Sequence, residues 1–570
     1  MNGNKITLAL LLLAASLFAK PTYLPPLELK SVASDDVRTF LEEEQKYPVN
    51  SAIKKKVARD VLGRIKQTAE NVKDEAYYVM RHQKTLDVYV SPISKSREIK
   101  FISGRYEVSK NGEKFYWLDD ARISEEAYFD NIVKRRENFV PEELYRASLT
   151  ASEIEALLEG AEPVFIDIVR KPIRDSYTNY SVIFSYSEIS SHAHSNSYKG
   201  QGVGIYFDED GCSDPVGYNS SYYQLLNTCT NGIQMHPTAV AKILSETAPM
   251  AMLYAHDGGG DVSYFNGLDM DSYNPSIEIS SHSWHYSSNG SYTSTAKIFD
   301  NYIYNNRLIT FASAGNIKAT DTATRVGSPA LAFNTIAVGA VDDPYSNNYE
   351  YSKWRNPVAH NQKPEAANYA EFYFPGINVS VWTGYVAGTS ASTPYTAAMY
   401  ADVLSQHSFL KRHPELVKAL ILSSEKIPIA NATTYDSDNG TKAAKGISTY
   451  SSVAWNHRFR YWNGSNSCCF DNNDKITFTE SVSSGVHYRI AIAWLTSGDY
   501  AATYHSVSQD IDLRIKQNGV TIASSTSANN PFEIVDFTTT SGSDLTIEIE
   551  RCANSGDDNV ILGYSLWNDL

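Results

Sequence analysis

The segment Gly388-Thr389-Ser390-Ala391-Ser392-Thr393-Pro394 puts a hydroxyl where a helical pattern begins. At a helix start, open backbone N–H groups and the helix dipole favour developing negative charge, so Ser390 has the setting of an activated nucleophile. Gly388, lacking a side chain, allows close approach of a substrate. Such a serine needs a base, and histidine, with an ordinary pKa of about 6.5, suits neutral pH. Of 13 histidines, His236 is singled out by its context, His236-Pro237-Thr238-Ala239-Val240-Ala241, at the head of a helix. Pro237 is compatible with a first helical turn. A third segment, Ile309-Thr310-Phe311-Ala312-Ser313-Ala314-Gly315-Asn316, is a buried strand ending in an amide. An amide N–H aimed at a tetrahedral oxygen is an oxyanion donor. A fourth, from Gly200 to Gly211, runs through Val203 and Ile205 into Asp208, Glu209 and Asp210. Its glycines precede the strand, which excludes a nucleotide-binding loop.

These residues need a scaffold with strand ends and helix starts in one place. From Gly200 to about Pro428, short apolar runs alternate with helical patterns. The strands expected are Val203–Phe207, Met250–Tyr254, Ile277–Ile279, Leu308–Ala312 and Ile336–Val338; the helices are Thr238–Leu244, Thr295–Asn305, Ser392–Leu404 and Pro414–Ser423. That alternation predicts an α/β fold, a doubly wound parallel sheet covered on both faces.

The four segments, in the order acid, His, Asn, Ser, resemble the subtilisin-like serine peptidases (subtilases, peptidase S8 family) over about residues 200 to 428. Gly-Thr-Ser-x-x-x-Pro is that family's serine signature, and His236-Pro237-Thr238 resembles its His-Gly-Thr, with Pro237 and Lys242 replacing glycines. The resemblance implies that Ser390 is the nucleophile, His236 the general base and Asn316 the oxyanion donor. An ungapped alignment on Gly200, Val203 and Gly211 gives the acid's position to Glu209, where the family has aspartate. Strand alternation agrees, because Val203, Ile205, Phe207 and Glu209 share one face. Asp208 takes the role if a one-residue bulge intervenes, and Asp210 is third. Ser283-Trp284-His285 resembles the edge that binds an extended peptide by backbone hydrogen bonds. Chemistry of this kind requires no cofactor. Structural calcium is common in the family, but Asp257-Gly258-Gly259-Gly260-Asp261 and Asp269-Met270-Asp271 do not fit an EF-hand loop, and no metal ligands are assigned.

The rest of the 570 residues divides into three further parts. Lys5, the apolar run Ile6–Ala15 and Ala19 fit a signal peptide at 1–19, too short to span a bilayer. Residues 20–185, most charged from about 35 to 160, predict an α+β propeptide or accessory domain with helices at Glu42–Gln67 and Pro141–Leu158 and strands at Leu86–Tyr89, Ile99–Ile102 and Pro163–Ile168. Thr150 and Glu153 mark a helix start. The Ser/Tyr/His/Asn-rich stretch 177–200 reads as a linker where maturation cleavage would fall. The peptidase domain is placed at 190–440. Beyond 450, alternating strands (Tyr488–Trp494, Ile511–Lys516, Val520–Ala523, Leu545–Glu550) with no helix between them predict an all-β sandwich at 450–570.

A net charge of −15 argues against nucleic-acid or anionic-membrane partners, which need clustered Lys and Arg. The partners expected are protein or peptide substrates, and the enzyme itself a monomer, secreted or at the cell surface (extracellular or periplasmic). Secretion permits disulfides among five cysteines, Cys212 with Cys229 and Cys552 with Cys468 or Cys469, leaving one thiol. The rival readings are a catalytically impaired subtilase-fold binding protein, suggested by the altered acid and Pro237, and a peptide ligase, since an acyl-enzyme can pass to an amine.

Overall fold

The computed structural model describes most of residues 27–174 and 198–568. The longest stretches outside the described residues are 1–26, 44–57, 66–84, 129–142, 175–197 and 425–456, so the apolar leader and nearly all of the 177–200 linker lie outside them.

Seven parallel strands form the central sheet, in the order Tyr223–Leu225, Met252–Asp257, Gly204–Glu209, Ile277–His282, Ile309–Ser313, Ile336–Val341, Ala366–Tyr369. The first of these in sequence lies third in space, so the winding reverses beside it, the crevice where doubly wound sheets place their sites. Ile205 and Phe207 face Val240 and Leu244 of the helix Met235–Thr247 and Ala397 and Ala401 of the helix Thr389–Gln406. Tyr206, between them, faces Phe299 and Tyr302 of the helix Ser294–Asn306. Strand alternation thus becomes two apolar layers.

The strands outrun their apolar runs. Gly204–Glu209, Met252–Asp257 and Ile277–His282 each continue two or three residues past the expected end, through Asp208 and Glu209, His256 and Asp257, and Ser280 to His282. Hydropathy falls where the polar groups begin, but the backbone ladder does not. The edge strands Tyr223–Leu225 and Ala366–Tyr369 were too short to leave a pattern.

Before the central domain stands a four-stranded sheet, ordered Val32–Ala33, Val164–Ile168, Thr85–Pro92, Tyr145–Thr150, with helices Asp35–Glu43 and Ala151–Leu158. One expectation fails here. Pro141–Leu158 is not one helix: Tyr145–Thr150 is a strand whose exposure alternates, paired with Thr85–Val90, and the helix starts only at Ala151. It does so where Thr150 and Glu153 form a reciprocal capping box, which supplies donors and acceptors that a continuing helix would have used. Of the helix expected at Glu42–Gln67, the described residues Ala58, Val61 to Gly63 and Ile65 are helical and the rest of 44–67 lies outside the described residues; a separate helix, Asp35–Glu43, precedes them.

The C-terminal part is a sandwich whose composition the linear reading did not foresee. Its larger sheet has seven antiparallel strands, in the order Phe532–Thr538, His487–Trp494, Val560–Asn568, His457–Gly464, Ile102–Val108, Lys114–Leu118, Ala121–Ile123. Three of them come from the N-terminal region. The facing sheet holds Lys475–Glu480, Leu545–Asn554, Gln509–Gln517 and Val520–Ser525, and Ile490, Leu562, Ile511 and Ile547 fill the space between. The sandwich also contains a helix, Gly498–Tyr504, contrary to expectation. Its first N–H donates to Asn301 Oδ1 (2.6 Å), and Tyr500 and Ala501 join the core under the helix Ser294–Asn306. Cys212 is bonded to Cys229. The second expected pairing is not made: Cys468 and Cys469 are bonded to each other, and Cys552 is a thiol 3.1 Å from Asp512 Oδ2.

Candidate active site

Ser390 is the second residue of the helix Thr389–Gln406, preceded by Gly388 at φ 97°, a left-handed conformation that suits glycine. Pro394, four residues on, has no N–H to give the Ser390 carbonyl. The Ser283 hydroxyl supplies the missing donor, at 3.1 Å. His236 occupies the first turn of the helix Met235–Thr247, and Pro237 sits in that same turn, where its missing N–H costs nothing; its carbonyl accepts from Ser213 Oγ at 2.9 Å.

From these supports three side chains converge. His236 Nε2 lies 2.9 Å from Ser390 Oγ, and His236 Nδ1 lies 2.6 Å from Glu209 Oε2. All three residues are buried. Ser390 Oγ is also 2.9 Å from the Ser283 carbonyl. Glu209 Oε1 has no hydrogen-bond partner among the described residues. Asn316 follows Gly315 (φ 98°), and its Oδ1 accepts both the N–H and the hydroxyl of Thr389, each at 3.1 Å. The amide is thereby oriented against the residue preceding the serine.

The adjacent acids go elsewhere. Asp208 points to the opposite face of the strand, where it pairs with His256 Nδ1 (3.0 Å) and accepts the Gly260 N–H (2.8 Å). Burial pushes its carboxyl up to about 6 despite the His256 partner. Asp210 lies past the strand, half-buried beside Gly259. Trp284 donates its indole N–H to the Asp208 carbonyl (3.1 Å), which ties the 283–285 segment to the strand Gly204–Glu209.

Ser283, Trp284 and His285 are buried, and the edge is occupied: Trp284 and His285 pair antiparallel with Arg174 and Ile173. Sequence reasoning missed both this occupancy and the Asp208–His256 pair. The available signal for the first was position, since residues 173–174 fall between the last N-terminal strand and the linker.

The glycine-rich acidic turns have protein partners. Burial would raise the Asp257 carboxyl, but N–H donors from Asn231, Gly211 and Thr230 outweigh it and hold it low. Asp261 caps the helix Val262–Asn266, and Asp271 pairs with Arg412 at 2.7 Å. Cys212, Cys229 and Asp257 bring metal-type ligand atoms together. With the two sulfurs joined and the carboxylate committed to N–H groups, they fit a clamp on the 228–232 loop better than an ion.

A serine, a histidine and a carboxylate aligned at the carboxyl ends of a doubly wound sheet have the arrangement of a nucleophile, base and acid. Residues 229–460 match the subtilase family model, Peptidase_S8. The matched span includes His236, Asn316 and Ser390 and begins after Glu209. Among solved structures, fervidolysin from Fervidobacterium pennivorans, a keratinolytic enzyme related to subtilisin, aligns with 82% of this chain and 74% of its own at 11% identity, with a TM-score of 0.40. No curated protein sequence matches the chain.

Proposed function

We propose that this chain is a secreted serine endopeptidase that hydrolyses peptide bonds through an acyl-enzyme. The observation that carries the reading is the continuous relay from Glu209 through His236 to Ser390, 2.6 and 2.9 Å at its two contacts. Glu209 holds the Nδ1–H, so Nε2 is the acceptor and takes the Ser390 proton as the hydroxyl attacks the scissile carbonyl. The oxygen, now negative, is held by the Asn316 amide N–H and the Ser390 backbone N–H. His236 then gives its proton to the leaving amine, and a water repeats the sequence on the ester to free the acid and Ser390.

An extended peptide running antiparallel to Trp284–His285 approaches Ser390 from the side that Ile173–Arg174 now covers. Cleavage in the linker after residue 174 fits a zymogen whose N-terminal region blocks its own site. Secretion is supported by the leader composition and by the disulfides; no helix among the described residues is long and apolar enough to cross a membrane. Ser390→Ala should lower casein hydrolysis by about 10⁵–10⁶-fold, and the parent's Ser390 should be labelled by a fluorophosphonate probe. Unchanged hydrolysis would end the proposal. An unlabelled, inert parent after removal of the N-terminal region would favour the binding-protein reading instead.

A further inference from the structure

The strands Ile102–Val108, Lys114–Leu118 and Ala121–Ile123 are inserted between two strands of the N-terminal lobe, yet they do not pair with that lobe's sheet. Ile102 to Glu107 run antiparallel against Asn463 to Arg458 of the C-terminal sheet, in an unbroken six-residue register. Gly104 lies under the Tyr461 ring, where even a Cβ would come within 2.2 Å of it. Tyr106 stacks on Phe409 at 4.5 Å and contacts His407 Nδ1 through its hydroxyl at 2.8 Å. Tyr128, just past the last strand, stacks on Phe409 at 4.9 Å and meets His413 Nε2 at 3.1 Å. Tyr106, Tyr116 and Tyr128 are buried in one core with Val403, Leu404 and Phe459. This is the packing of a domain interior, not of a detachable inhibitor.

The lobe makes separate contacts of its own: Val32, Ile93 and Phe165 are buried in one core with Trp284 and Phe299, and Lys297 Nζ donates to the Pro92 carbonyl at 3.1 Å. Asp167 Oδ2 accepts the N–H and hydroxyl of Ser294 (2.8 and 3.0 Å) at the start of the helix Ser294–Asn306, and Ile173–Arg174 lie on the substrate edge.

We propose that the N-terminal region is anchored twice, and that a cut in the 175–197 linker leaves it attached because the 102–128 segment remains built into the C-terminal sheet. The proposal rests on the maturation reading above and extends it. Linker cleavage breaks none of the contacts just described. The lobe, released from the linker, is still tethered through the hairpin, which holds it near the substrate edge at an effective concentration in the millimolar range and slows its loss by about 10²–10⁴-fold. Peptidase activity therefore waits for further cuts between the lobe and the hairpin, and the hairpin stays in the mature enzyme.

The test uses the full chain carrying Ser390→Ala, with one recognition sequence for a site-specific protease inserted at about residue 187. After cutting, native mass spectrometry of a dilute sample should find both fragments in one particle, and a denaturing gel should find two chains. Gly104→Leu, which forces a side chain into Tyr461, should release the N-terminal fragment about 10²–10⁴ times faster. A parent complex that falls apart as fast as this variant would overturn the proposal. Should Gly104→Leu fail to fold, recognition sequences placed in 95–101 and in 129–142 give a second route. Cutting all three should free the lobe and leave the 102–128 peptide on the sheet, whereas departure of that peptide with the lobe overturns the inference. Because Ser390→Ala carries the association measurement, its outcome is independent of whether the parent labels with fluorophosphonate.

Discussion

Two carboxylate–imidazole pairs stand at the end of the strand Gly204–Glu209, one on each face, and their surroundings differ more than their chemistry. Glu209 with His236 leads onward to Ser390 Oγ. Asp208 with His256 leads to the Gly260 N–H and to Tyr264, which stacks on the His256 ring at 3.7 Å. Both imidazoles are held at Nδ1 by a buried carboxylate, and both pairs are within the core. What separates them is the element on each face: a helix start that presents a hydroxyl on one side, and on the other the turn at Gly260 and the short helix Val262–Asn266, which present a backbone donor and a phenol ring. A buried acid–histidine pair is therefore a generic device for fixing a ring. It becomes a proton relay only where the second ring nitrogen meets a group that can react.

Substitutions at the two acids should break this symmetry. Glu209→Gln keeps the side-chain length and loses the charge that steadies an imidazolium, so kcat should fall by about 10⁴-fold with the fold intact; that magnitude is the one known for amide replacement of a triad acid. A loss below tenfold would mean that Glu209 is not the relay's acid. Asp208→Asn should leave kcat within a few-fold and cost stability instead, about 1–3 kcal/mol in denaturant unfolding, because one of its two buried donors loses its acceptor. The pH dependence sharpens the contrast. The Asp208 carboxyl is raised by burial from 3.8 to about 6 in the fold, so the folded state holds this proton more tightly than the unfolded one. Stability from this group is full below about pH 4 and is lost as pH climbs to about 6, by at most about 1.4 kcal/mol per unit. Unfolding measured at pH 4, 5 and 7 should show the parent declining relative to Asp208→Asn. Parallel curves would contradict the buried-acid account.

The same comparison explains what the sequence could and could not convey. The residues of the relay are legible because each sits where local periodicity changes, at a strand end or a helix start, and such changes are local. Ranking Glu209 ahead of Asp208 came from the glycine and valine positions of the family pattern, and alternation along one strand agreed, since neighbouring residues must face opposite ways. The partner of Asp208, 48 residues on, is set by the register of two parallel strands, which leaves no local trace. The C-terminal sheet is the extreme case: Ile102–Val108 and His457–Gly464 are separated by most of the chain, and nothing in either run names the other. The vicinal Cys468–Cys469 bond was hidden for a different reason, since counting cysteines cannot distinguish adjacent partners from distant ones. The capped helix at Thr150 was read and its preceding strand was not, because Tyr145 to Leu149 satisfies a helical pattern nearly as well as an alternating one.

A smaller effect probes why the relay's face differs from its twin: only there does a helix begin with a proline four residues past the reactive side chain. Pro394 withholds the N–H that would satisfy the Ser390 carbonyl, and Ser283 Oγ takes its place from the neighbouring strand end at 3.1 Å. Ser283→Ala should therefore cost about 0.5–1.5 kcal/mol of stability and lower kcat by less than tenfold, as the serine's backbone loses one support while the catalytic groups stay in place. Ser283→Thr, which keeps the hydroxyl, should recover most of the stability. If the Ser390 carbonyl is what the hydroxyl serves, Pro394→Ala must shrink the cost of Ser283→Ala, because a helix N–H then becomes available to the same oxygen. Equal costs in the two backgrounds would show that Ser283 supports the site by some route other than that carbonyl.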